Sequence, residues 1–567
     1  MSAGSGLQQF RLRENQLFLV LSIVIGILAG LLAVLFTLGI ERASRVMFGV
    51  TPSALRLFFV PSLVSVVTGI LLVKVFHDAR GSGVPQTVAA FRLNGGVISP
   101  RVPIGKFITG ILCIGSGHSL GREGPSLQLG AGLASVVGQW LRLSPARVKE
   151  LVPVGAAGAL SAAFNTPVAA VIFALEEVIG DMNATLLGST VVASVAAVVV
   201  ERSILGNEPL FRVPAYQLVH PAELAGYALL GLVGGVISVV FCRLLLRLRT
   251  YFMSLPPRTR IWQPAMGGVA IGAILLLVPE VRGVGYPLVD QALNGGLVLR
   301  TMLLLGSVKL VATVVSYASG NAGGIFAPSL FIGAMTGGAI GLLVQSVAPF
   351  PTGAPGAYAL VGMGALFAGI IRAPMTSVFM IFEITQDYQI LVPLMVANLL
   401  SFAISRHYQP QPVYHALLQQ DGVHLPFADP TGSGGGWTAR DVMLAEPRFV
   451  GPNQTVEEAW RALQDDAAGA WLVGAREHLV GVISREQLEG AMNGGRALEA
   501  VSTLAVESPE HVHSDHPVEV VLERLASGEG VLPVVSRHDG GRVEGAITLA
   551  DVTRFVGKGR RRPVAGD

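Results

Sequence analysis

Cysteine is nearly absent. The 567 residues hold two, Cys113 and Cys242, both within apolar stretches, which excludes a disulfide framework and leaves no thiolate cluster for a metal. Charge is scarce as well: Asp, Glu, Lys and Arg make up 14% of the chain with a net of +3, so a nucleic-acid partner is not expected. No nucleophile, metal-ligand set or acid/base constellation of an enzymatic kind stands out, and catalysis is not expected. A signal-peptide cleavage pattern is missing too. The apolar run from Leu17 therefore reads as a retained helix, with a polar segment, residues 1–16, before it. Clean apolar spans of about 20 residues are also uncommon.

What is abundant is apolar sequence cut by Gly and Pro. With 51% hydrophobic residues and a mean hydropathy of +0.60, the chain belongs in lipid. Between Leu17 and His407 its apolar stretches are short and repeatedly interrupted. Broken helices are tolerated in hydrocarbon only where protein buries the freed backbone or a cavity receives it, so the pattern predicts a polar site at mid-membrane. A repeat supports this. Gly121-Arg-Glu-Gly-Pro125-Ser-Leu-Gln-Leu-Gly130-Ala131 matches Gly324-Ile-Phe-Ala-Pro328-Ser-Leu-Phe-Ile-Gly333-Ala334, with the prolines 203 residues apart. Pro167, Val171 and Glu176 match Pro374, Val378 and Glu383 at an offset of 207. Two ordered matches at nearly one offset imply a duplicated unit, with halves of about 17–205 and 222–408 and binding between them.

Basic loops set the orientation. Arg11 and Arg13, then Arg142, Arg147 and Lys149, then Arg243, Arg247, Arg249, Arg258 and Arg260 are expected on the cytoplasmic side, together with the soluble C-terminal region. Residues 409–436, ending in the Thr431-Gly-Ser-Gly-Gly-Gly436 run, read as a linker, and 558–567 as a basic tail. Between them, 437–557 carries two similar blocks ending in Gly481-Val-Ile-Ser484 and Gly545-Ala-Ile-Thr548, which predicts a small α/β module.

An anion crossing a membrane needs its lost hydration replaced without a fixed charge that would trap it. Helix N-termini offer unpaired N–H groups and a partial positive charge. Three Gly-rich helix starts fit: Gly81-Ser-Gly-Val-Pro85, Gly121-Arg-Glu-Gly-Pro125 and Gly323-Gly-Ile-Phe-Ala-Pro328. In this order they resemble the three signature motifs of the CLC chloride channel and transporter family. The stretch from Asn165-Thr-Pro167 to Glu177, and Thr385-Gln-Asp-Tyr388, are similar to that family as well. The likeness spans residues 17–408 and implies an all-α polytopic membrane fold of two inverted halves with broken helices, assembled as a homodimer with one anion pathway per subunit.

Carried over by that resemblance, Ser82 and Tyr388 would offer hydroxyls, and Ile325 and Phe326 backbone N–H groups, to a central anion. A carboxylate at a helix N-terminus, as Glu123 would be, gains about 0.3–1 kcal/mol. An ionised Glu123 occupies the anion cradle itself, whereas a protonated one leaves it, which resembles the family's gating glutamate. Arg122 would add positive potential or hydrogen bonds. Glu177 falls where the family's exchangers carry an internal proton glutamate, and carboxylates bordering a membrane segment are costly enough to suggest a relay. Glu176, with its repeat mate Glu383, fits a structural role. Ser82 resembles chloride-selective members.

The C-terminal blocks resemble a CBS pair, regulatory modules that sometimes bind adenine nucleotides. Thr548 and Asp551 would form the one candidate nucleotide site, since Ser484 is followed by Gln487 instead of an acid. No cofactor is required, and no metal site is expected. The expectation is a bacterial inner-membrane chloride/proton antiporter with a cytoplasmic CBS pair, chloride and protons as its substrates and lipid around it. A voltage- or pH-gated chloride channel of the same fold is the alternative; a membrane-tethered nucleotide sensor is the rival of another class.

Overall fold

In the computed structural model, eight helices are followed by eight that repeat their order. The first set is α1 (Ala3–Phe48), α2 (Ala54–Lys74), α3 (Val84–Arg92), α4 (Arg101–Gly115), α5 (Glu123–Trp140), α6 (Pro145–Phe164), α7 (Pro167–Phe173) and α8 (Ala184–Leu205). The second is α9 (Glu223–Ser254), α10 (Gln263–Leu277), α11 (Tyr286–Leu293), α12 (Leu299–Ala318), α13 (Phe326–Val347), α14 (Pro355–Ile370), α15 (Pro374–Thr385) and α16 (Leu391–Tyr408), after which comes α17 (Val413–Gln420). The structure describes residues 3–180, 184–207, 210–211, 213, 219–423, 438–464, 469–507, 509–514, 516, 518–527, 530–536 and 542–559. The chain divides into two units, Met1–Leu425 and Pro426–Asp567.

Among the described residues, seven helical segments are long and apolar enough to cross a membrane; others, such as α10, α14 and α15, are apolar but shorter. Prolines in the first turn start α3, α6, α7, α11, α14 and α15, where a missing N–H costs nothing. Glycine sets the packing distance. Gly130 of α5 meets Gly155 of α6, and Gly333 of α13 meets Gly362 of α14, so closely that a Cβ on any of them would overlap the facing carbonyl oxygen.

Two contacts reveal the relation between the halves. Gly121 N–H donates to the Gly324 carbonyl at 2.7 Å, and Gly324 N–H donates to the Gly121 carbonyl at 2.8 Å. Equivalent residues exchanging equivalent bonds define a local two-fold axis. The second contact is a reciprocal cap. Glu176, just past α7, accepts from the N–H groups of Met375 and Thr376 at the start of α15, while Glu383 in α15 accepts from Val168 and Ala169 at the start of α7 (2.9 and 2.7 Å). Each half thereby satisfies the open N–H groups of the other.

Two boundaries differ from the expectation. α1 begins at Ala3, upstream of Leu17. Residues 409–423, assigned to the linker, instead hold α17, which packs on α3 and α9 with Val413, Tyr414 and Leu417 buried. Pro410 and Pro412 suggested a linker, but Pro412 is the residue at which a new helix starts. The Thr431–Gly436 run and the Arg560–Arg562 run lie outside the described residues.

The second unit has a four-stranded sheet of β1 (Phe449–Val450), β2 (Ala470–Ala475), β3 (His478–Ser484) and β4 (Val506–Glu507) in that spatial order, and an antiparallel pair, β5 (Val531–Val535) and β6 (Val543–Thr548). Its helices are α18 (Ala439–Val442), α19 (Val456–Leu463), α20 (Arg485–Asn493), α21 (Val518–Ser527) and α22 (Leu549–Gly559). β3 runs into α20 through Ser484, and β6 into α22 through Thr548, which makes the two blocks alike.

Candidate functional site

The site is built from loops that precede α3, α5 and α13. Before α3, Gly81 (φ 87°) and Gly83 (φ 106°) take a backbone conformation that side chains disfavour, and this turns Ser82 into the protein. The buried Lys106 of α4 donates to the Gly81 carbonyl at 2.9 Å and fixes the loop. Ser82 is fully buried. Its Oγ faces the hydroxyl of Tyr414, also fully buried, and the two hydroxyls are polar neighbours. Two buried hydroxyls side by side make a polar spot among the helix starts, with lone pairs and protons that can reorient.

Glu123 is the first residue of α5 and is completely buried. Its carboxylate lies against its own N–H and that of Ala327, in the first turn of α13. One oxygen, Oε1, accepts from the Tyr286 hydroxyl. Gly121 makes room for this arrangement, because a Cβ there would fall on Oε2. Ile325 and Phe326 begin α13, and the Phe326 ring packs among Phe164, Phe173 and Phe367, with centroids at 4.7, 5.7 and 4.4 Å. The ring thus anchors the helix start. Arg122 reaches the Ala163 carbonyl at 3.4 Å, and its guanidinium lies 5.5 Å from the Tyr286 ring centroid.

Glu177 lies elsewhere in the same unit. The segment Ala174–Ile179 continuing α7 is a π-helix, a widened turn that commonly marks functional positions. Within it Glu176 turns to cap α15, while Glu177 is buried, with Oε1 unpartnered among the described residues. Arg92 and Glu176 are the charged groups that reach it. Tyr414 is within electrostatic reach of both Glu177 and Glu123.

Residues 63–406 match the family described as "Voltage gated chloride channel". The H(+)/Cl(-) exchange transporter ClcA of Vibrio cholerae serotype O1 (strain M66-2) is 32% identical over 430 residues, covering 73% of this chain and 92% of that one. The chain belongs to the voltage-gated chloride channel (CLC) family. Among solved structures, a slow cyanobacterial Cl-/H+ antiporter is similar with a TM-score of 0.65 and 28% identity, over 71% of this chain and 97% of that one. A eukaryotic CLC transporter, at 19% identity and a TM-score of 0.64, covers 94% of this chain and 97% of its own, which extends the likeness in fold beyond the membrane unit. Residues 439–494 and 501–558 match the CBS domain.

In this CLC protein the structure gathers Ser82, Glu123, Ile325 and Phe326 around one convergence of helix starts, but not Tyr388. That side chain is 77% exposed, in a single 3₁₀ turn at Tyr388–Ile390. The hydroxyl facing Ser82 belongs instead to Tyr414, which was hidden in the supposed linker. Also missed were Lys106 and Tyr286. A third repeat could have signalled the latter: Asp78-Ala-Arg80-Gly-Ser-Gly83-Val-Pro85 matches Glu280-Val-Arg282-Gly-Val-Gly285-Tyr-Pro287 at an offset of 202.

In the second CBS repeat, Asp551 accepts from Thr548 N–H and from Thr548 Oγ1 (3.0 and 2.6 Å), forming a cap at the start of α22. Ser484 and Gln487 make the equivalent cap on α20 without a carboxylate.

Proposed function

We propose that this CLC protein exchanges chloride for protons across the bacterial inner membrane, as a homodimer with one pathway per subunit and the CBS pair in the cytoplasm. The observation that carries the reading is the Glu123 carboxylate, fully buried beside the first N–H groups of α5 and α13, where an anion would sit. An ionised glutamate and a chloride ion compete for those donors. Protonation removes the charge that holds Glu123, the side chain withdraws, and chloride takes the outer position. Deeper in, Ser82 and Tyr414 hold the anion by hydroxyls, and Ile325 and Phe326 by backbone N–H groups, so binding is strong enough for entry and weak enough for exit. Glu177 takes protons from the cytoplasm and supplies Glu123. The ClcA relative and the slow cyanobacterial antiporter, both exchangers by name, support this direction of reading.

The start of α22, with Thr548 and Asp551, is where an adenine nucleotide would bind, through the hydroxyl for phosphate and the carboxylate for ribose.

Exchange is tested by the reversal potential of the purified protein in planar bilayers under a fixed chloride gradient. For an exchanger the reversal potential moves when a pH gradient is imposed, because protons carry part of the charge. A reversal potential that stays at the chloride equilibrium value across pH gradients identifies a gated channel.

A further inference from the structure

The loop before α11 mirrors the loop before α3. Gly285 (φ 89°) caps α11 as Gly83 caps α3, with Pro287 and Pro85 in the first turns. The buried Lys309 of α12 donates to the carbonyls of Val281 (3.0 Å) and Gly283 (2.5 Å), as Lys106 of α4 does to Gly81. Lys106 and Lys309 are themselves 203 residues apart. Each loop borders its own cavity. Arg80 and Gly81 line one of about 470 Å³, whereas Arg282, Gly283, Gly285 and Tyr286, with Arg122, line another of about 790 Å³. The first loop directs Ser82 to the anion path; the second directs Tyr286 to Glu123.

We propose that Tyr286 is a positioning residue that latches the ionised Glu123 in the anion cradle from the side of the larger cavity, so that its hydroxyl sets how readily protonation opens the path. This rests on the reading of Glu123 as the gate. The phenol donates to Oε1, while Oε2 has no hydrogen-bond partner among the described residues and the backbone N–H groups of Glu123 and Ala327 lie near the carboxylate. The ring is held edge-on against Phe211, with centroids 5.3 Å apart, and beneath the Arg122 guanidinium. A carboxylate held by a phenol donor is favoured as the anion, since charge-assisted hydrogen bonds are among the stronger ones. Once protonated, Glu123 no longer offers that acceptor charge, and the latch weakens as the side chain leaves. The other charged groups near this point are Arg122 beside Glu123, Glu201 of α8 near Arg122, and Glu41, Arg45, Glu280 and Arg282 around the cavity; Tyr414 of α17 is within electrostatic reach of Glu123. None of them replaces the donor at Oε1.

The test is chloride flux against pH in liposomes for the wild type, Tyr286→Phe, Glu123→Ala and the double variant. Tyr286→Phe keeps the ring and its packing and removes only the donor. Its flux–pH profile is expected to move upward by about one pH unit, with proton coupling retained, and the double variant is expected to match Glu123→Ala. A Tyr286→Phe profile that overlays the wild type overturns the latch. So does an effect of Tyr286→Phe that persists in the Glu123→Ala background, because Tyr286 would then act without Glu123. If Glu123→Ala itself keeps proton coupling, the gate reading fails, a result distinct from failure of the latch alone.

Discussion

At the scale of single residues the site depends on what is absent as much as on what is present. Gly124 follows Glu123 in the first turn of α5, and a Cβ placed there would lie 2.7 Å from both the carbonyl oxygen and Oγ of Ser82. Backbone cannot yield to such a contact cheaply, and overpacking of this kind costs about 1–3 kcal/mol. Gly124→Ala is expected to yield folded protein whose chloride flux in liposomes falls about tenfold or more, the change in rate that 1.4 kcal/mol produces. Flux equal to wild type would mean that the close approach of Gly124 to Ser82 does not shape the anion path. The glycines and Glu123 were legible in the sequence because their chemistry is local, a helix start with a carboxylate on it. Tyr414 was not, since nothing in Gln411-Pro-Val-Tyr-His says that a short helix behind two prolines folds back against α3. Tyr388 was selected from its neighbours in sequence, and its surroundings proved to be open surface.

At the scale of elements, broken helices were expected from the spacing of Gly and Pro, and the structure contains short helices with Pro in the first turn alongside seven segments long enough to cross a membrane. What periodicity could not convey is the π-helical turn at Ala174–Ile179, because a single widened turn hardly disturbs an apolar pattern. That turn lets adjacent glutamates diverge, Glu176 to the α15 cap and Glu177 to a buried position. The reciprocal caps predict a separable stability effect. Glu383→Ala leaves the N–H groups of Val168 and Ala169 without their acceptor, at a cost of about 1–3 kcal/mol. The thermal midpoint of the purified protein in detergent should fall, while the ratio of chloride to proton movement stays as in the wild type. An unchanged midpoint would mean that the caps do not hold the halves together.

For the whole molecule, duplication was readable from two motif pairs, and the third pair, at 78–85 and 280–287, completes it. The sequence pattern established that there were two halves; the exchange of bonds between Gly121 and Gly324 established the axis that relates them. The proposed coupling uses two carboxylates of one unit, Glu123 at the helix starts and Glu177 away from them. The measurement that tests this most directly is proton uptake into liposomes driven only by a chloride gradient, with voltage clamped by a potassium ionophore, for the wild type and Glu177→Gln. The account predicts uphill proton movement in the wild type and its loss in Glu177→Gln, with chloride flux remaining. Equal proton movement in both would contradict the assigned internal route, and chloride flux without any proton movement in the wild type would contradict exchange altogether.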